Sequence, residues 1–195
     1  MVGRCARAGL GAAAVALTAA GCGLGSSTKT VTVAQTQTVT TTRTVTTTQS
    51  VASSKPCSGT QLAATFNLIP GSAGAGQIAY VLTVKNSSRS VCSLHGSPAG
   101  MLLGSNGAAL PTHVKATGGG GRRILLPPGA SATAQARFSP DVPGTGDSQT
   151  GTCQPQAHTF QLSAEGGGVT EAAIKPPTSV CEQGTLHFGA YDYAG

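Results

Sequence analysis

The chain has 195 residues, of which 9% are charged and 4% aromatic, and it carries a formal net charge of +6 at pH 7. The low charge and the abundance of small residues argue against a cytosolic helical bundle and favour one small exported β domain. The net charge does not indicate a nucleic-acid partner, because residues 57–195 hold 7 of the 12 basic residues and all 6 acidic residues, which is close to neutral.

Residues 1–21 are predicted to be a signal peptide. Arg4 and Arg7 give it a short cationic start, and an uncharged, largely apolar run follows over residues 8–20. This run is shorter than the roughly 20 apolar residues that a membrane-spanning helix needs. We therefore expect export rather than retention by this segment.

Cys22 is the predicted lipidation site. The preceding Ala20 and Gly21 give this position a resemblance to a bacterial lipobox, from which Ala19 departs because Leu or Val is usual there. Two or more acyl chains on Cys22 would anchor the chain stably in a membrane, since each buried methylene contributes about 0.8 kcal/mol. The alternative is an ordinary secretory signal cut near Ala20, with Cys22 left as an unmodified thiol.

Residues 22–56 are predicted to comprise the lipidated cysteine and a disordered, threonine-rich stalk. A six-residue repeat covers residues 32–55 in four unequal copies that lack large apolar side chains. A repeat so short cannot bury a face, so an extended, solvated spacer is favoured. A Thr/Val strand of a β-solenoid is the alternative, because both residue types have high β propensity.

Residues 57–195 are predicted to form an antiparallel, immunoglobulin-like β-sandwich. Short apolar alternations are separated there by clusters of Gly, Pro, Asn and Ser, a pattern typical of sandwiches and barrels. No segment beyond the signal peptide has a convincing helical period. The predicted strands cover residues 61–69, 78–85, 101–103, 108–110, 123–126, 131–138, 159–163, 169–174 and 185–188.

Several short motifs give this domain a family resemblance. They are the strand ending Thr83-Val84-Lys85-Asn86, the run Cys92-Ser93-Leu94-His95-Gly96-Ser97-Pro98, the segment Leu126-Pro127-Pro128-Gly129-Ala130-Ser131-Ala132, Cys57, and the late Cys153 and Cys181. Together they resemble a domain-of-unknown-function family that is common in actinobacterial secreted proteins and lipoproteins. The resemblance covers about residues 57–189. It implies a β-sandwich in an exported compartment and carries no established activity.

The four domain cysteines, Cys57, Cys92, Cys153 and Cys181, are expected to form two disulfides. An exported domain with an even number of cysteines and no metal-ligand spacing should be oxidised. Four cysteines allow three pairings, among which the sequence alone does not choose. The family resemblance implies the sequential pairing of Cys57 with Cys92 and of Cys153 with Cys181. Free buried thiols are the alternative.

No pattern in the sequence indicates catalysis, a metal or a cofactor. The four histidines, His95, His113, His158 and His187, are not spaced as a metal pair, and no nucleophile elbow or phosphate-binding loop is present. Asp141 and Asp147 precede His158 but are interpreted as solvated loop carboxylates. We expect no enzyme, no catalytic residue, no metal site and no cofactor.

The sequence therefore favours a membrane-anchored lipoprotein on the extracytoplasmic face of the cell membrane. The lipid on Cys22 would make the membrane one partner of this protein. The loops of the domain would bind an envelope protein, a glycan or a small ligand. A structural spacer without a discrete ligand is one alternative, and an envelope hydrolase is another. The basic doublet Arg122-Arg123 is either an anion contact or part of a solvated loop.

Overall fold

The computed structural model describes residues 54–194, which are almost entirely β. The strands are β1 (Leu62–Leu68), β2 (Ile78–Asn86), β3 (Cys92–Leu94), β4 (Ala99–Leu103), β5 (His113–Ala116), β6 (Ile124–Leu126), β7 (Ser131–Phe138), β8 (Ala157–Ser163), β9 (Val169–Thr178), β10 (Thr185–Phe188) and β11 (Asp192–Tyr193). A 3-10 turn (Gly59–Gln61) precedes β1, and a short helical segment, α1 (Cys181–Gly184), precedes β10. The predicted signal peptide, Cys22 and the stalk up to residue 53 lie outside the described residues.

The strands form one large sheet and one small ribbon. The order in the sheet is β4-β8-β9-β1-β2-β7-β10-β5, with β11 also paired to β7, and β3 pairs with β6 in the ribbon. The sheet nearly closes, because the segment leading into β5 binds β4: the Leu110 N–H donates to the Leu102 carbonyl at 2.8 Å. The Leu102 N–H in turn donates to Thr112 Oγ1 at 2.9 Å.

Alternation along the strands places one face in the core, as β7 shows. Its Ala132, Ala134, Ala136 and Phe138 are buried, whereas Gln135 between them is exposed. Successive strand residues point to opposite faces, so this pattern directs every second side chain inward. All four phenylalanines and Tyr80 are buried together, with neighbouring ring centroids 5.3 to 5.8 Å apart. Five of the seven aromatic residues of this chain are therefore concentrated in one cluster.

The predicted all-β domain with two disulfides is confirmed, with differences in detail. Two strand pairs, β1 with β9 and β5 with β10, are parallel, because alternation specifies the buried face of a strand but not its neighbour. The predicted strand over 108–110 is reduced to a single bridge between Leu103 and Ala109. No helix in residues 54–194 is long and apolar enough to cross a membrane.

Candidate functional site

The two disulfides lie at opposite ends of the domain. Cys57 is joined to Cys92 and Cys153 to Cys181, the pairing that the family resemblance implies. The first disulfide is at the end where β1 begins, beside the start of β3, and we name this the entry end because the chain enters the domain there. The second joins the 139–156 loop to α1 at the opposite end, which we name the far end.

A left-handed turn follows Cys181 at the far end. Glu182 has φ 52° and ψ 44°, Gln183 has φ 55° and ψ 39°, and Gly184 has φ 77°. The left-handed conformation costs roughly 1–2 kcal/mol for each non-glycine residue, so two in succession need support from their surroundings. The side chains of Glu182 and Gln183 are exposed, so the two strained residues lie at the surface of the domain.

The carboxylate of Asp147 holds this turn in place. It accepts hydrogen bonds from the backbone N–H groups of Glu182 and Gln183, from the Gly144 N–H at 2.8 Å and from Gln154 Nε2 at 2.7 Å. Burial raises the pKa of Asp147, but the hydrogen bonds from these four donors outweigh it and lower the pKa to about 2. Asp147 is therefore a fixed anion that orders the backbone around it.

Further contacts fix the same turn. The Cys153–Cys181 disulfide holds its first residue, and Thr185 Oγ1 donates to the Glu182 carbonyl at 2.7 Å. Gly184 lies so close to the neighbouring chain that an added Cβ would come within 1.8 Å of the Pro111 carbonyl oxygen. Only glycine fits there, because of both its positive φ and this crowding.

A polar cleft of about 430 Å³ opens beside the left-handed turn. This volume falls in the range of roughly 300–1,000 Å³ that is usual for ligand sites. Its side chains are those of His113 and Lys115 on β5, Thr145, Glu182, Gln183 and Thr185. Together they offer an imidazole, an ammonium, a carboxylate, an amide and two hydroxyl groups, which can bind both donors and acceptors of hydrogen bonds.

The interpretation of Asp147 as a solvated carboxylate is wrong, because Asp147 is only 8% exposed. Its backbone partners in the left-handed turn are 35 and 36 residues further along the chain, so no local pattern reveals those contacts. Asp141 is exposed and His158 is half-buried, and neither lines the cleft. The sequence gives one indication of this site, in the glycines at 144, 146 and 184. Each lies where an added Cβ would crowd a neighbouring residue.

Both arginines of the basic doublet, Arg122 and Arg123, make contacts within the domain. Arg122 forms an ion pair with Asp192 at 3.6 Å, in which both side chains are 76% exposed. Arg123 donates to the buried Ser93 Oγ at 2.8 Å. Arg122 thus contacts a carboxylate and Arg123 a hydroxyl of the same domain.

Asp147, Cys153 and Cys181 are the one group of metal-ligand types that converge within residues 54–194, with ligand atoms within 4.8 Å of one another. Both sulfur atoms, however, are joined in the disulfide. Both carboxylate oxygens of Asp147 already accept hydrogen bonds. The oxidised domain therefore uses these atoms for structure.

Two of the motifs that carry the family resemblance, the strand end at Asn86 and the Pro-Pro-Gly segment, meet at the entry end. The Nδ2 of this fully buried residue donates to the Ser90 and Leu126 carbonyls, each at 2.8 Å. Its Oδ1 accepts from the Ser88 N–H at 3.0 Å. The Gly129 N–H donates to the Asn86 carbonyl at 2.8 Å. The Asn and Pro-Pro-Gly motifs are therefore one structural unit.

A comparison with protein families identifies the family of this domain. A family model described as "Domain of unknown function (DUF4232)" matches residues 57–191. The chain belongs to this family. The DUF4232 domain includes both disulfides and the left-handed turn of the far-end cleft. Neither the curated proteins nor the solved structures include a significant match to the chain.

Proposed function

We propose that this chain is an actinobacterial envelope lipoprotein, anchored to the membrane through Cys22, whose DUF4232 domain binds an extracytoplasmic protein or glycan without catalysis. The single observation that carries the proposal is the polar cleft at the far end, built on a strained left-handed turn. The domain is all-β and of the DUF4232 family. The anchor, the ligand and the location are our inferences.

The strain at Glu182 and Gln183 supports a binding role for the cleft. Strained backbone persists only where the surroundings over-determine it, and it clusters at ligand clamps and active sites. Here Asp147 and the Cys153–Cys181 disulfide together fix the turn. The two exposed side chains are thus presented in a fixed direction, which lowers the entropy lost when a ligand orders them.

The chemistry of the lining supports a macromolecular ligand over a small apolar one. Small-molecule pockets are lined mainly by apolar and aromatic side chains, whereas the named side chains of this cleft are all polar or charged. His113 and Lys115 carry the donors, and Glu182 carries the charged acceptor. Such an open, polar surface suits a peptide or glycan with many hydrogen-bonding groups.

The noncatalytic part of the proposal is based on the contacts of the two hydroxyl groups in the cleft. Among the hydrogen bonds of residues 54–194, none joins His113 to the Thr145 or Thr185 hydroxyl or to the Glu182 carboxylate. A nucleophilic hydroxyl needs an adjacent base within hydrogen-bond reach. The polar groups of the cleft are therefore better suited to binding than to covalent chemistry.

The cleft lies at the end of the domain opposite to Pro56. Pro56 pairs with Ser93 at the entry end, so a tether formed by residues 22–56 would join the domain there. The far end would then remain open to partners in the envelope.

Site-directed photocrosslinking in intact cells tests this proposal. A photoreactive amino acid replaces Thr145, an exposed residue of the cleft, in the full chain. The matched control carries it at Thr60, an exposed threonine at the entry end. We expect a discrete crosslinked product from position 145 that is absent from position 60 and is weakened by Lys115→Glu. Identical products at both positions, or none, would support the structural-spacer alternative.

A further inference from the structure

A second cavity lies at the entry end and is more enclosed than the far-end cleft. Its volume is about 170 Å³. The side chains that define it are those of Leu62, Leu94, Leu162, His95, Glu165 and Tyr191. It shares no lining residue with the far-end cleft, so it is a separate site.

The lining of this cavity is part apolar and part polar, and three core leucines form much of its apolar part. Leu62, Leu94 and Leu162 are 6%, 3% and 1% exposed and belong to the hydrophobic core. Ala99 and Ala164 complete the apolar lining. An apolar protein cavity of about 150 Å³ holds one benzene molecule, so this cavity has room for a ligand of about that size.

Tyr191 supplies a polar group without a partner. The residue is only 7% exposed, and its backbone N–H donates to the Gly96 carbonyl at 2.9 Å. Within residues 54–194 its hydroxyl makes no hydrogen bond. The hydroxyl is not among the fully buried polar atoms that lack a partner in these residues, so it is accessible to a molecule in the cavity that Tyr191 lines.

Glu165 adds a negative charge at the same place. Burial, and then the nearby charge of Glu165, raise the pKa of Tyr191, so the phenol stays protonated and donates a hydrogen bond. Glu165 lines the cavity and is exposed. A ligand hydroxyl satisfies both groups, because it accepts from Tyr191 and donates to Glu165.

We propose that this cavity binds a small neutral alcohol or phenol, with its apolar body against the three leucines and its hydroxyl between Tyr191 and Glu165. A carboxylate ligand is disfavoured by repulsion from Glu165. The proposal is independent of the far-end cleft and goes beyond the binding function proposed for it.

Fluorine NMR titration of the purified full chain tests the site with 4-fluorophenol and with fluorobenzene, which lacks the hydroxyl. We expect saturable binding of 4-fluorophenol at millimolar concentrations and weaker binding of fluorobenzene. Tyr191→Phe should weaken 4-fluorophenol binding about three- to tenfold, the effect of one hydrogen bond, and leave fluorobenzene binding unchanged. Tyr193→Phe, a change at an exposed tyrosine outside the cavity, is the matched control.

A second variant covers the case in which Tyr191→Phe does not fold. Glu165→Ala changes an exposed residue and should also weaken 4-fluorophenol relative to fluorobenzene, whereas the control Glu171→Ala on the exposed face of β9 should not. Failure of both probes to bind the folded chain would overturn the proposal. So would an unchanged ratio of the two affinities in every folded Tyr191→Phe or Glu165→Ala variant. Neither result would affect the crosslinking expected at Thr145.

Discussion

Replacing Asp147 with asparagine should release the left-handed turn at the far end. Asparagine keeps one acceptor oxygen but presents an amide donor to two of the four N–H groups that Asp147 now binds. A hydrogen bond to a charged group contributes about 1.5–3 kcal/mol. Loss of two such bonds should therefore lower the free energy of unfolding by about 3 kcal/mol or more.

The expected loss of unfolding free energy is large enough, relative to the total stability of the domain, to be measured. Small domains have net stabilities of about 5–15 kcal/mol, so a loss of about 3 kcal/mol shifts the urea midpoint clearly while the disulfides keep the variant folded. Asp141→Asn is the matched control, because Asp141 lies in the same loop and is exposed. Such surface substitutions usually change stability by less than about 0.5 kcal/mol.

Hydrogen exchange locates the effect. The amides of Glu182 and Gln183 donate to Asp147, so they should exchange slowly in the wild-type chain and quickly in Asp147→Asn. The reasoning is refuted if Asp147→Asn is as stable as Asp141→Asn and both amides remain protected. The Thr145 photocrosslink should be lost in Asp147→Asn, since the cleft depends on the turn.

Three further outcomes are expected. Folding lowers the pKa of Asp147 from 3.8 to about 2. The contribution of Asp147 to stability is therefore complete above about pH 4 and is lost as the pH falls through 2. Acid titration of the unfolding free energy should show this loss in the wild-type chain and not in Asp147→Asn. Cys22→Ser should move the chain from the membrane fraction to the soluble or precursor pool, and incorporation of labelled fatty acid into that variant would contradict the lipidation site. Asn86→Ala should lower the free energy of unfolding by about 2–4 kcal/mol by urea denaturation, because two backbone carbonyls lose a buried donor; Asn67→Ala, whose amide contacts only the Thr65 hydroxyl, should cost much less.

Strands with a regular alternation between core and solvent were predicted, whereas three short strands without one, β3, β5 and β11, were missed. The predicted ranges 131–138 and 185–188 match β7 and β10, because each pairs a regular apolar face with clear turn signals. In β3 all three residues are buried, so no alternation marks it. β11 has only two residues, both exposed, which leaves nothing for a pattern to detect.

The two sites were harder to predict than the fold because their residues meet only through tertiary structure. Asp147 and Glu182 come from different segments, and their contact is visible only once the far end is assembled. Tyr191 lies beyond the last predicted strand, and its role depends on Leu62 and Leu162 from β1 and β8. Local patterns specify which residues are buried, whereas a cavity depends on which segments are neighbours.

The two disulfides have different consequences for the domain because of where they lie. With 28 residues between its partners, the Cys153–Cys181 disulfide is expected to stabilise the fold by about 3–4 kcal/mol in the chain-entropy model. Two left-handed residues cost roughly 2–4 kcal/mol, an amount comparable with this stabilisation of the whole fold. The Cys57–Cys92 disulfide has no such strained neighbour. In the described residues, the only non-glycine residue with positive φ besides Glu182 and Gln183 is Ala75, which lies in the β1–β2 loop. Reduction of the far-end disulfide should therefore loosen the cleft before it unfolds the rest of the sheet.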